Sequence, residues 1–202
     1  VGVIKGVILG INPEAVIAFS GKPVLVKAAY QYGVDTTTLL ALRMLFAAPL
    51  FMLMAWWAGR PTTAITGREI IGITALGFLG YYLGSFLDLA GLQYISAGLE
   101  RLIMFLFPTM TVVLSALLYR QAIGRKVMLA MALSYAGIAL VFMHDVQVGS
   151  TGIFLGTALV FASTLSYSTY LVGAGHAIMR IGATRFTAYA MIVASAASLL
   201  QF

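Results

Sequence analysis

No cysteine occurs in the 202 residues, and histidine occurs only twice. The first absence excludes a disulfide framework, a thiol nucleophile and a thiolate metal site. Charge is also scarce: 9% of the residues are Asp, Glu, Lys or Arg, where a soluble domain carries about 25%. Too few polar side chains remain to cover a folded surface in water. What fills the chain is apolar, with 61% hydrophobic residues and a mean hydropathy of +1.01. Lipid is the solvent such a composition requires. The formal net charge of +6 would suggest nucleic acid in a soluble protein. Here the basic residues stand singly between apolar runs, so no nucleic-acid partner is expected.

Val1 opens the chain and Phe202 ends it inside an apolar run, so the sequence is expected to be part of a longer protein. The first apolar stretch lacks a small-residue cleavage site, and similar stretches follow, which argues against a cleavable signal peptide. A helix needs about 20 apolar residues to cross a bilayer core. Seven stretches meet that need, near 4–32, 36–58, 69–92, 96–119, 127–143, 152–178 and 183–202. The first is interrupted at Asn12-Pro13-Glu14, where a broken helix, a plain proline kink or a cytoplasmic helix joining the span all fit. Pro49 and Pro108 predict kinks in the second and fourth. The runs are too long for barrel strands and lack their alternation, so the fold class is all-α: a polytopic membrane helix bundle.

Alternate connections differ sharply in charge. Lys5, Arg60, Arg68, Arg120, Arg125, Lys126, Arg180 and Arg185 fall on one side, and residues 33–36, 93–96 and 144–151 supply no Lys or Arg on the other. Positive residues stay on the cytoplasmic face, which places the N-terminus there. Trp56 and Trp57 suit the same interface. Gly80/Gly84 and Ala132/Ala136 are spaced for close helix packing.

Several charges fall inside the expected spans: Lys22, Lys27, Arg43 and Arg101, with Glu14, Asp88 and Glu100. Counted along the helices, they occupy the outer half and middle of the bilayer, with Lys22 near the midplane. An ionised side chain at mid-bilayer costs on the order of 3 kcal/mol, so such groups face a bundle interior or an aqueous cavity. Lys27 and Arg101 can also snorkel to the interface. Pairing of Lys22 or Arg43 with Asp88 is expected. Tyr81, Tyr82, Tyr167 and Tyr170 are candidates to line a pore, or to pack.

A shift of 149 residues lays Ser20 on Thr169, Lys27 on His176, Gly33 on Gly182, Thr38 on Thr187 and Ala41 on Ala190. Five spans separate the copies, so the second lies inverted, a pattern of secondary transporters with their site between the copies. Gly21, Lys27, Gly33 and the Leu42-Arg43-(three residues)-Ala47 run resemble the opening of EamA-type carriers of the drug/metabolite transporter superfamily. Tyr94-Ile95-Ser96-Ala97-Gly98, Leu106-Phe107-Pro108 and Ala136 through Val141 resemble that family's fourth and fifth spans. The chain departs from the family's common residues at Ser20-Gly21, Glu100-Arg101 and Arg120-Gln121.

The resemblance implies ten helices in two inverted five-helix halves. Residues 1–143 would form the first repeat and 152–202 the truncated start of the second, so about seven of ten spans are expected here. It also implies a carrier, not an enzyme, in a bacterial or archaeal plasma membrane. By alternating access it would move small polar metabolites, amino acids or related carboxylates, most simply as an exporter. The expected substrate contacts are Lys22, Arg43, Asp88, Tyr82, Glu100 and Lys27. The excess of positive charge at Lys22 and Arg43 suits an anionic group, with Asp88 balancing them or receiving an amine. Asp88, Glu100 or Glu14 could couple transport to protons, and uniport fits equally well. No metal or cofactor is expected; the partners are substrate and bilayer.

Other readings fare less well. A seven-helix receptor or photoreceptor starts outside, and a retinal pigment needs a lysine in its last helix, where residues 183–202 have none. An intramembrane enzyme would need a nucleophile–base pair or metal motif, and neither pattern occurs. A channel would show a carbonyl filter or a ring of like charges.

Overall fold

The computed structural model describes residues 13–59, 65–120, 124–147 and 152–202. Asn12, Lys5 and Arg60 lie outside them. Among the described residues no strand occurs, and there are nine α-helices and one π-helical turn. These are α1 (Pro13–Gln31), α2 (Thr36–Trp57), α3 (Gly67–Gly77), the π-turn (Phe78–Leu83), α4 (Gly84–Leu92), α5 (Ala97–Met104), α6 (Phe107–Tyr119), α7 (Arg125–Gln147), α8 (Ile153–Ile181) and α9 (Ala183–Gln201).

Local chemistry explains the boundaries. Pro13 opens α1, where a missing backbone N–H leaves no bond unmade. Gly33, at φ 78°, turns the chain out of α1. Asp35 then caps α2, its carboxylate accepting from Thr37 N (3.2 Å) and Thr38 N (3.3 Å). Thr66 and Glu69 form a reciprocal cap on α3, with Thr66 N donating to Glu69 Oε2 at 2.8 Å. Pro108 does more than kink the fourth span. Its ring clashes with the carbonyl four residues back, so the helix breaks at Phe105–Leu106 and restarts with Pro108 in the first turn of α6.

Six helical stretches among the described residues are long and apolar enough to cross a membrane: Thr36–Trp57, Gly67–Leu92, Ala97–Tyr119, Arg125–His144, Ile153–Gly175 and Ala183–Gln201. They match six of the seven expected spans. The first expected span is the exception. Within its described part, α1 carries Glu14, Lys22 and Lys27 in 19 residues, and that charge takes it below the apolarity of the others.

The packing is that of a membrane protein. Large apolar side chains point outward, among them Phe46, Leu50, Trp56, Trp57, Leu133 and Leu140, while Asp88, Glu100, Ser163, Thr164, Ser168 and Ser195 are buried. α8 is the central element, lying against α3, the π-turn, α4, α5, α6 and α9. Small residues permit this. A Cβ on Gly91 would stand 2.8 Å from Gly156 O, and one on Gly156 would stand 2.9 Å from Gly91 O, so α4 and α8 cross glycine on glycine. Gly80 also marks a close approach, but Ala132 and Ala136 are exposed, because α7 packs chiefly on α5 and leaves that face open.

The helix ends sort into two sets. At one end Arg185 donates to Ala58 O from Nε (3.0 Å) and Nη2 (2.7 Å), and Arg180 meets Glu69 at 2.5 Å. At the other end Gln93 donates to Thr36 Oγ1 at 2.7 Å, and Gly152 lies against the Tyr94 ring. These are the two sides that the loop charges separate.

Candidate functional site

Three helices bring charge together inside the bundle. α1 supplies Lys22, α4 supplies Asp88, and α5 supplies Glu100 in its first turn and Arg101 in its last. Lys22 Nζ donates to Asp88 Oδ2 as an ion pair. Asp88 is 2% exposed and Glu100 is fully buried. Arg101 Nε stands 3.5 Å from Glu100 Oε2, and Glu100 faces Asp88. Lys22 is held at the level of Asp88, one turn from the end of α4.

With two cations and two carboxyls, the group is formally neutral. Its hydrogen bonding is less complete. Neither Asp88 Oδ1 nor Glu100 Oε1 has a hydrogen-bond donor among the described residues. The Glu100 and Asp88 carboxyls themselves lie within hydrogen-bonding reach of each other.

A polar lid lies beside the cluster. Tyr30 donates to Leu89 O at 2.7 Å and stands 3.3 Å from Thr36 Oγ1, which also accepts from Gln93. These bonds tie α1 and α2 to the end of α4, just past Asp88.

The other expected contacts fall elsewhere. Arg43 lies on the exposed side of α2 and feels Asp88 only through space, with no hydrogen bond or ion pair to it. Lys27 is partly buried, about one and a half turns along α1 from Lys22. Tyr82 turns away altogether. Its hydroxyl donates to Gln201 Oε1 at 2.6 Å at the end of α9, and its ring stacks with Phe86. Tyr81, Tyr167 and Tyr170 form an aromatic core with Phe107 and Phe186 between the π-turn, α6, α8 and α9. Arg101 joins the cluster although snorkelling was an equal expectation for it.

The cluster lies in a chain with six helical stretches, among the described residues, long and apolar enough to cross a membrane. The profile of the EamA-like transporter family matches residues 5–143. The chain belongs to that family. The match covers every member of the charge cluster. An uncharacterized transporter of Bacillus subtilis (strain 168), YcbK, is 28% identical to this EamA-like chain, across 91% of the chain and 59% of YcbK. The chain thus spans about three fifths of the length of that curated relative. No solved structure matches it.

Proposed function

We infer that this EamA-family chain is part of a secondary transporter that exports small polar metabolites, amino acids or related carboxylates, by alternating access. The observation that carries this reading is the buried Lys22–Asp88 pair with Glu100 beside it. An ion pair taken out of water is a poor source of stability, and intramembrane charge marks a solute pathway. A zwitterion can open such a pair without leaving either charge bare. Its carboxylate would replace Asp88 on Lys22, with Arg43 adding long-range attraction, and its ammonium would meet Asp88 Oδ1 and Glu100 Oε1. Exchange of partners keeps the interior neutral throughout.

Two further points support the carrier reading. Gly33 and Gly182, matched by the internal repeat, both turn at positive φ, 78° and 87°. This favours residues 1–143 as a first five-helix repeat and 152–202 as the start of an inverted second. The loop charges favour a cytoplasmic N-terminus in a bacterial or archaeal plasma membrane.

The test is uptake by the complete reading frame in sealed proteoliposomes, with labelled amino acids, organic acids and sugar phosphates. Saturable uptake of an amino acid or carboxylate, reduced by Lys22→Ala, is expected. Flux that rises linearly with concentration, with single-channel current, would replace the carrier by a channel.

A further inference from the structure

The helix that carries Asp88 to Lys22 changes register five residues before Asp88. Between α3 and α4, Phe78–Leu83 forms a π-helical turn, in which Gly84 N donates to Leu79 O, five residues back. An α-helix advances about 100° per residue, and a π-bulge accommodates one extra residue. Relaxed to a plain α-helix, the segment would turn Asp88 by about 100° and present Leu87 in its place. The register of this turn therefore selects whether a carboxylate or an apolar side chain faces Lys22.

The turn is held from one neighbouring helix face. Ser166 Oγ donates to Leu79 O at 2.7 Å, and Ser163 Oγ donates to Gly84 O at 2.7 Å. Tyr170 seats its ring against Gly80, where an added Cβ would stand 2.4 Å from the ring, and its hydroxyl donates to Tyr81 at 3.1 Å. Residues 163, 166 and 170 recur at spacings of three and four, so they share one stripe of α8. The two hydroxyls reach the carbonyls at either edge of the wide turn. Backbone carbonyls inside a membrane protein have no bulk water to turn to, so these donors bear directly on which register is stable.

We propose that Ser163 and Ser166 are positioning residues, which hold the π-turn and so keep Asp88 on Lys22. This extends the transport-site reading and takes its functional meaning from it. α8 thereby bears on the Lys22–Asp88 pair through the π-turn: a shift of α8 along the π-turn withdraws the hydroxyls and turns Asp88 away.

The test reads the lysine and needs no substrate. The full-length protein in nanodiscs carries ¹³C-dimethylated lysines, with the Lys22 signal assigned by its loss in Lys22→Arg. Asp88→Asn gives the position of that signal without the ion pair. Ser163→Ala/Ser166→Ala is expected to move the signal to that unpaired position, and Ser166→Thr, which keeps a hydroxyl, to leave it in place. If the double variant does not fold, Ser166→Ala alone is expected to move the signal part of the way. A signal unmoved by loss of the hydroxyls, where Asp88→Asn moves it, overturns the positioning role and leaves the transport reading standing. A signal unmoved even by Asp88→Asn removes the pair, and with it both readings.

Discussion

Lys22 and Asp88 stand 66 positions apart in sequence and form one ion pair that ties α1 to α4. Asp88 is almost wholly buried and Lys22 keeps 21% of its side-chain surface. Removing one partner leaves the other desolvated without its countercharge, which costs about 3–5 kcal/mol when the site is fully buried. Lys22→Met is expected to lower the unfolding temperature in detergent clearly. Lys22→Met/Asp88→Leu should recover most of the loss, because apolar replacement of a buried pair is often neutral. A double variant as unstable as either single would show that the two side chains do not act as a pair.

Transport should separate the cluster from its neighbours. Lys22→Ala and Glu100→Gln are expected to reduce saturable uptake strongly. Tyr82→Phe removes only an exposed bond to Gln201 and should leave uptake nearly unchanged, as should Lys27→Ala. Loss of uptake in Lys27→Ala equal to that in Lys22→Ala would count against the placement of the site.

The crossing of α4 and α8 allows a sharper test of packing. A methyl at Gly91 meets Gly156 O at 2.8 Å and Val160 Cγ2 at 2.6 Å, and a backbone carbonyl cannot rotate aside. Gly91→Ala is expected to destabilise by about 1–3 kcal/mol through overpacking. Gly137→Ala, with nothing within 4 Å, should be neutral or slightly stabilising. Equal thermal stability of the two variants would contradict the crossing.

Asp35 gives a pH dependence with a definite sign. Hydrogen bonds from Thr37 and Thr38 lower its pKa from the usual 3.8 to about 2. The folded form thus prefers the carboxylate, and the cap's contribution is complete above about pH 4. It falls away as pH drops towards 2. Asp35→Ala should be less stable than the unsubstituted chain at pH 7, and the difference should shrink progressively below pH 4. A difference that is constant over that range would mean that the carboxylate is not the cap.

Much of this architecture is legible in the order of residues. Apolar runs of bilayer length predict 36–58 where α2 runs Thr36–Trp57, and 183–202 where α9 runs Ala183–Gln201. The preference of apolar side chains for lipid operates over each run by itself, so no knowledge of neighbours is needed. The intramembrane charges are equally visible, because each is an exception to its own surroundings. The EamA likeness could be read for the same reason: its motifs are local.

Partnership was a different matter. In sequence, Arg43 and Lys22 are both candidates for Asp88, and only helix packing separates them, since Arg43 lies on the exposed side of α2. Tyr82 and Tyr81 are adjacent in sequence, yet one reaches Gln201 and the other Tyr170. The π-turn is invisible in sequence because its residues, Phe78–Leu83, read as ordinary helix; its edges take hydrogen bonds from serines 79 and 87 positions away. Ser163, Ser166 and Tyr170 do carry a signal, the three-and-four spacing of one helical face, but it names no partner. Hydrophobicity along a single helix decides what enters the membrane. Which buried polar groups meet depends on how helices rotate against one another, and that rotation is set by contacts between segments far apart in the chain.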